Sequence, residues 1–334
     1  MTQTMRAMVV NEPGSPDVLQ PVQLPVPEPG AGRVRLRVAF VGMNPVDALV
    51  RRERLDWMPV RYPFVPGLEH TGVVDRVGPD VDPSWLGQRV LSRVSFGGYA
   101  DYSIAAAGTL LRVPPELSLL EGCVYRGCSY TAWHALFKVA QLASGDRLLV
   151  HSAAGAVGIM ALQMAASVGA TAVGLLGNVD KIDWVRSFHE GPIISYLDES
   201  WVSHALQASG GGGYDVIIDG NAGPTAERNF DLVARLGRIV YLGAMSGSPA
   251  PPVPVARLID KSCLIAGMTL RQIEEPPGSA ADREILGAIV AKRWKLPISE
   301  VVPLAHAADL HRRLEARQLK GRAVVEVGGE KVTG

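Results

Sequence analysis

The apolar run Leu148-Leu149-Val150 leads through His151 into a turn of small residues, Ser152-Ala153-Ala154-Gly155-Ala156-Val157-Gly158. The turn passes directly into the helix-forming sequence Ile159-Met160-Ala161-Leu162-Gln163-Met164-Ala165. A strand, a tight turn and a helix in that order leave the helix N-terminus with free N–H groups and the positive end of its dipole. In this Ala-x-Gly-x-x-Gly pattern, Gly155 lets the backbone approach a phosphate and Gly158 lets the helix pack close to the strand. Ala153 stands where the fingerprint prefers its first glycine. The expectation is a unit that grips the diphosphate of a dinucleotide, with Ala154, Gly155, Ala156, Val157 and Gly158 lining the cradle.

At 334 residues the chain exceeds what one hydrophobic core serves, so two domains are expected. Lys plus Arg and Asp plus Glu both total 33, and this zero net charge gives no global field to recruit nucleic acid or an anionic membrane. Cys123, Cys128 and Cys263 are odd in number and lack paired C-x-x-C spacing, which disfavours a disulfide framework and points to reduced cytoplasmic thiols. The N-terminus reaches Pro13 too soon for a signal peptide. Residues 152–179 carry no charge and could span a bilayer by length, but glycines at 155, 158, 169, 174 and 177 interrupt them. A buried helix followed by a buried parallel strand explains the stretch better, so no membrane span is expected.

Up to about residue 113 the chain is rich in turns and in short apolar runs. Arg33-Val34-Arg35-Leu36-Arg37-Val38 alternates with period two, and glycines punctuate runs such as 71–77 and 88–94. A barrel of short strands is expected there. From about Glu121 the period changes, with a helix over 128–142. Strands are then expected at 147–151, 170–176, 192–195, 215–219, 238–242 and 264–270, and helices at 156–167, 181–188, 199–208 and 225–236. This is the rhythm of a doubly wound parallel sheet. The tail carries a helix over 307–319 and a strand over 322–327 that suits the first sheet. The first domain is therefore expected to be discontinuous, 1–125 with 271–334, around a dinucleotide-binding domain at 126–270.

Seven markers in order are Met5-Arg6-Ala7, Asn44-Pro45-Val46-Asp47, Pro63-Phe64-Val65-Pro66-Gly67-Leu68-Glu69, Gly97-Gly98-Tyr99-Ala100-Asp101-Tyr102, the 151–158 turn, the stretch 219–225 and Gly321-Arg322-Ala323-Val324. Together they resemble the medium-chain dehydrogenase/reductase superfamily, and within it the zinc-free quinone oxidoreductase and enoyl reductase branch. The resemblance implies an α/β chain: a GroES-like β-barrel catalytic domain plus a Rossmann doubly wound parallel-sheet cofactor domain, with an active cleft between them. It also implies a homodimer whose Rossmann sheets join through the edge strand at 262–270.

Zinc-dependent relatives hold their catalytic ion with an early cysteine and the histidine of a Gly-His-Glu motif. Here the early position falls in Val41-Gly42-Met43-Asn44, and the motif reads Gly67-Leu68-Glu69. Three soft or imidazole ligands are not available, so no metal is expected. Without a Lewis acid, reduction of a simple ketone loses its mechanism. A quinone makes a lesser demand, because its own ring delocalises the product anion. A conjugated enone or enoyl thioester is intermediate, forming an enolate that a few hydrogen-bond donors can stabilise.

An NAD-specific site usually has an acidic residue at the end of the second strand. That region here reads Leu175-Leu176-Gly177-Asn178, without a carboxylate. Lys181 matches a lysine of NADPH-using relatives, and Tyr196 matches a tyrosine found beside the adenosine phosphate. The expected cofactor is NADPH, although Asp180 would oppose a phosphate if it turned inward.

By the same resemblance Asn44 faces the nicotinamide or the substrate carbonyl, with Asp47 and Arg51 nearby, and Thr131 packs on the nicotinamide. Leu49 replaces a tyrosine of relatives, and a structural Asp47–Arg51 ion pair is an equally open reading. Leu242, Gly243, Met268 and Leu270 lie where Rossmann strands end at their carboxyl edge, and are expected to hold the carboxamide. Trp57 and Tyr62 are candidates for the substrate mouth, while Tyr99 and Tyr102 are read as barrel residues.

The leading expectation is an NADPH-dependent, metal-free oxidoreductase passing hydride to a quinone or other conjugated carbonyl. One rival is an enoyl (thioester) reductase acting on a biosynthetic intermediate. The other is a catalytically weak NADPH-binding protein with a structural or nucleic-acid-binding role.

Overall fold

A computed structural model gives the fold of residues 3–55, 58–93, 95–223, 225–243, 252–273 and 275–332. The chain divides into two compact units, Met1–Tyr125 with Ile298–Gly334, and Arg126–Pro297. In chain order the first unit contains β1 (Thr4–Val10), β2 (Leu19–Pro25), β3 (Arg33–Gly42), α1 (Pro45–Arg51), β4 (Glu69–Val77), β5 (Arg89–Ser92), β6 (Tyr102–Ala106) and β7 (Leu111–Arg112). The division falls within α2 (Leu119–Trp133). The second unit follows with β8 (Arg147–Val150), α3 (Ala156–Ser167), β9 (Thr171–Leu176), α4 (Ile182–Arg186), β10 (Ile193–Ser195), α5 (Trp201–Ala208) and β11 (Tyr214–Asp219). It continues through α6 (Asn229–Leu232), β12 (Val233–Tyr241), α7 (Val255–Lys261), β13 (Leu264–Gly267), α8 (Leu270–Ile273) and α9 (Ala280–Val290). The chain then closes with β14 (Ile298–Pro303), α10 (Ala307–Glu315) and β15 (Arg322–Glu326).

In the first unit β3 is the axis of a sheet ordered β14-β15-β3-β4-β5-β7, with β6 also pairing to β3, while β1 and β2 form a separate antiparallel pair. The alternation read from 33–38 is realised, since Val34, Leu36 and Val38 are all buried. β15 lies antiparallel to β3, pairing Val325 with Val41, so the C-terminal strand completes this sheet. Its core gathers Met8, Val10, Leu19, Tyr99, Leu310 and Val325. Two histidines are fully buried there. His70 bonds Ser103 Oγ at 2.8 Å and the Gly67 carbonyl at 3.1 Å. His311 Nδ1 accepts from Arg51 Nε at 3.3 Å, and its Nε2 meets the Tyr99 hydroxyl at 3.3 Å.

In the second unit all six strands are parallel, in the order β10-β9-β8-β11-β12-β13. The strand order reverses between β8 and β11, which is where open α/β sheets bind ligands. The structure corrects several expectations. The helix expected over 225–236 is a short 3-10 turn and α6, after which β12 begins at Val233. Phe230 and Leu232 are buried on α6, and β12 buries Val233, Ala234, Ile239 and Val240 while leaving Arg235 and Leu236 exposed. The helix expected from 128 starts at Leu119 and turns π-helical over His134–Val139, where Ala140 N–H bonds the Ala135 carbonyl. The strand expected to 270 ends at Gly267, and Leu270 opens α8.

The return to the first unit comes at Ile298, later than the expected 271. Residues between these points are tied into the second unit. Gln163 exchanges hydrogen bonds with the Lys295 backbone at 3.0 and 2.8 Å, and Arg126 reaches the Glu275 carbonyl at 2.9 Å and Asp282 at 3.3 Å.

Burial holds the pKa of His70 at about 4 and that of His311 at about 3, against about 6.5 in an unfolded chain. The unfolded state therefore takes up these protons first, and stability falls as pH drops from about 6.5 towards 4. Asp47, raised to about 6 by burial, acts in the opposite sense over the lower part of this range. The stability advantage of wild type over His70→Gln, measured by urea unfolding, is expected to narrow between about pH 7 and pH 4. A constant gap would show that His70 protonates as readily folded as unfolded.

Candidate cofactor and active site

The turn after β8 places every residue of the expected cradle on one loop and the first turn of a helix. His151 is buried, and Ser152 takes a left-handed backbone, φ 54°. Gly155 is the N-cap of α3, with extended φ −81° and ψ 167°, so the N–H groups of Ala156, Val157 and Gly158 begin the helix without intrahelical partners. The two glycines do different work. A Cβ on Gly158 would lie 2.6 Å from the Ser152 carbonyl oxygen and 2.8 Å from Ala153 Cα. On Gly155 its nearest neighbour would be Ser152 O, at 3.3 Å. Gly158 is thus required by helix–strand contact, while Gly155 keeps the mouth of the turn open. Ala154 is buried and Ala156 and Val157 are half-buried.

Beside this turn, β9 ends at Leu176 and the chain enters Gly177 and Asn178. The Asn178 side chain accepts the Asp180 N–H at 2.9 Å, capping the 3-10 turn Val179–Lys181. Asp180 is exposed, whereas Lys181 is buried. Tyr196 follows β10, with its ring against Gly177 and its hydroxyl taking the Ser152 N–H at 3.2 Å and Asn221 Nδ2 at 3.4 Å. The Ser152 side chain is a further hydrogen-bond partner of that hydroxyl, so the oxygen is held among groups of the turn and Asn221.

At the carboxyl ends of the same strands lies a polar chain that sequence reasoning missed. Asp219 accepts the N–H groups of Asn221 and Ala222 on one oxygen, at 2.8 and 3.0 Å, and Asn229 Nδ2 on the other, at 2.9 Å. Asn229 Oδ1 in turn meets His151 Nε2 at 2.8 Å. Asp219 and His151 were visible in the Asp219-Gly220 and His151-Ser152 markers. Asn229 gives no signal, because it falls inside the segment 225–236 expected to be a helix. Thr131, on α2, donates its hydroxyl to the Gly127 carbonyl at 2.7 Å, leaving oxygen lone pairs able to accept. Leu242 is half-buried, Gly243 exposed, and Met268 and Leu270 buried, at the ends of β12 and β13.

In the first unit the candidate catalytic residues belong to a buried network. Asp47 is fully buried and its carboxylate accepts the backbone N–H groups of Asn44 and Leu68, each at 3.0 Å, joining the start of α1 to the loop before β4. Asn44 donates both amide hydrogens, to the Gly42 carbonyl at 3.2 Å and to Glu69 at 2.9 Å, and its oxygen accepts from Arg322. Glu69 also lies 3.5 Å from both Arg93 and Arg322. Asn44 is thus a bracket whose amide donors are already used. Arg51 does not pair with Asp47; it is fully buried and bonds the Gly14 carbonyl, His311 and Glu315, away from the start of α1. Tyr62 is half-buried and packs edge-on against Phe64, with ring centroids 5.5 Å apart. Trp57, the other candidate for the substrate mouth, lies outside the described residues.

The residues present do not fit a catalytic zinc. Where a ligand set would stand, Asn44, Leu68 and Glu69 supply one carboxylate, already bonded to Asn44 and flanked by arginines. Among the described residues no group of three or more His, Cys, Asp or Glu side chains could hold a metal ion.

Gly158→Ala forces backbone apart where it meets backbone, and is expected to destabilise the chain by about 1–3 kcal/mol in chemical unfolding. Wild-type stability in that variant would remove the close-contact account of this glycine.

Comparison with known proteins agrees with this geometry. Residues 30–115 match the family model for an alcohol dehydrogenase GroES-like domain, and residues 156–283 match that of a zinc-binding dehydrogenase. The chain is 30% identical to a human quinone oxidoreductase, covering 93% of this chain and 94% of that protein. It is 29% identical to a 2-haloacrylate reductase from a Burkholderia species, over 96% and 98% of the two chains. A mycobacterial protein solved in complex with NADPH superposes with a TM-score of 0.86 at 28% identity, over 96% of this chain and 99% of the other. Two domain matches in order, a doubly wound sheet in one unit and a GroES-like domain in the other, and near-full-length relatives converge: the chain belongs to the medium-chain dehydrogenase/reductase superfamily of oxidoreductases, in its quinone oxidoreductase branch.

Proposed function

We propose that this chain is an NADPH-dependent, metal-free reductase that passes hydride to a quinone or another α,β-unsaturated carbonyl compound. The observation that carries the reading is the phosphate-sized turn at 152–158 set beside a β9 end without a carboxylate. The NADPH complex of the mycobacterial neighbour supports the same cofactor. Bound NADPH supplies the hydride. The chain's own part is to hold and orient. The N–H groups of Ala156, Val157 and Gly158 face the diphosphate, with Ala154 and Gly155 leaving room for it. Tyr196, Asn178 and Lys181 flank the adenosine side without opposing charge.

Leu242, Gly243, Met268 and Leu270 present backbone groups to the carboxamide, and Thr131 packs on the nicotinamide. Asn44 and Asp47 shape the acceptor side by fixing α1 against the loop before β4, and Arg51 anchors the far end of that helix. Tyr62 lines the acceptor side. The acceptor anion takes its proton from solvent, since the Asn44 amide hydrogens are committed. The unpaired edge of β13, with Leu264 65% and Ile259 71% exposed beside it, supports a homodimer formed through this strand. Among the described residues no helix is long and apolar enough to cross a membrane.

A second reading, reduction of an unsaturated acid or thioester, is favoured by the likeness to the 2-haloacrylate reductase. NADPH oxidation followed at its absorbance band against quinones, enones, haloacrylates and enoyl thioesters separates the two. Turnover of quinones or enones supports the first reading, and turnover of acids or thioesters alone reverses it. NADPH is expected to bind at least 10-fold more tightly than NADH, about 1.4 kcal/mol. Tighter NADH binding would overturn the cofactor assignment. Gly155→Ala, whose Cβ would meet the Ser152 carbonyl oxygen at 3.3 Å, is expected to fold with a slight shift of the turn and to weaken NADPH binding by about 10-fold in the same titration.

A further inference from the structure

The polar chain beneath the switch point fixes the protonation of a residue that the mechanism above does not use. Asp219 is buried and, as a carboxylate, can only accept, so Asn229 must present its NH2 group to it and its oxygen to His151. That oxygen is an acceptor, so His151 must hold its proton on Nε2. Nδ1 is then a bare acceptor. It is buried, and among the described residues it has no hydrogen-bond partner. His151 follows β8 immediately before the cradle, and its ring stacks on Tyr196 at 6.1 Å and 22°. The Tyr196 hydroxyl takes the Ser152 N–H, which closes a ring of contacts around the turn. A buried acceptor without a donor calls for an explanation, and this one lies at the carboxyl ends of β8 and β11 where ligands of such sheets sit.

We propose that His151 is a cofactor-sensing acceptor, locked as the Nε2–H tautomer by Asp219 through Asn229, whose Nδ1 receives an O–H donor when the dinucleotide binds. The donor is a ribose hydroxyl of the dinucleotide or a water ordered with it; phosphate oxygens are excluded because they only accept. Access to Nδ1 requires a small adjustment of the turn, at the residue already held at φ 54°, Ser152. The inference rests on the reading of this turn as the NADPH site.

The test is the imidazole nitrogen spectrum of the full chain labelled with nitrogen-15 in histidine, with His151 assigned by the loss of its signals in His151→Gln. The expected result is an Nε2–H tautomer in the free chain and a displacement of the Nδ1 resonance on saturation with NADPH. Inorganic pyrophosphate, which has no ribose, separates the donors. Displacement with NADPH alone identifies a ribose hydroxyl, and displacement with both identifies ordered water. An Nδ1–H tautomer, or an unmoved Nδ1 resonance in a sample that demonstrably binds NADPH, overturns the proposal. Absence of NADPH binding overturns the underlying site reading instead. Asn229→Ala is expected to release the tautomer and raise the NADPH dissociation constant by about 10-fold, with kcat at saturation retained. Retention of the Nε2–H tautomer in that variant also counts against the lock.

Discussion

Backbone touches backbone where α3 leaves β8. Gly158 sits so near Ser152 and Ala153 that a single methyl group would collide with main-chain atoms that cannot rotate away. That approach aims the start of α3 at the carboxyl end of β8, beside the point where the strand order reverses. The neighbours of the turn follow from it. Gly174 on β9 comes under Ala153, Tyr196 closes over Gly177, and Asp219 and Asn229 brace His151 from the other side of the switch point. A helix start held in this way presents unpaired N–H groups and the positive end of its dipole without any charged side chain.

The first unit uses polar groups differently. Its candidate residues are buried and saturated, so they act by holding loops in place. The Asp47 carboxylate joins two chain segments through backbone N–H bonds, and burial still lifts its pKa to about 6. Arg51 performs a comparable task at the other end of α1, where it meets Gly14, His311 and Glu315. Glu69 stands between Asn44 and two arginines, so the negative charge that a metal might have claimed is balanced within the protein.

Much of this architecture was legible in the sequence. The helix at 156–167 has the bounds expected of it, because small residues and a glycine N-cap mark its start. The six parallel strands were all anticipated, since each is a short apolar run bounded by turn residues. The misread segment 225–236 contains helix-compatible residues, and the pairing of Val233 with Tyr214 of β11 that turns its end into a strand is a contact a local period cannot report. The later return of the chain, at Ile298, depends on Gln163 and Arg126 reaching residues more than a hundred positions away. The resemblance places Arg51 beside Asp47, yet the arginine turns to α10, 260 residues further along.

By itself the sequence determined the alternation of strands and helices, the phosphate turn, the missing acid after β9 and the missing zinc ligands, because each is a matter of residue type at a local spacing. Tertiary structure decided which polar groups are already spent. Asn44 has no amide hydrogen to give, the Tyr196 hydroxyl is held by Ser152 and Asn221, and His151 is forced into one tautomer by a carboxylate two hydrogen bonds away. Hydrogen-bond capacity is consumed in space by partners distant in the chain, and only the folded arrangement shows what remains for a ligand.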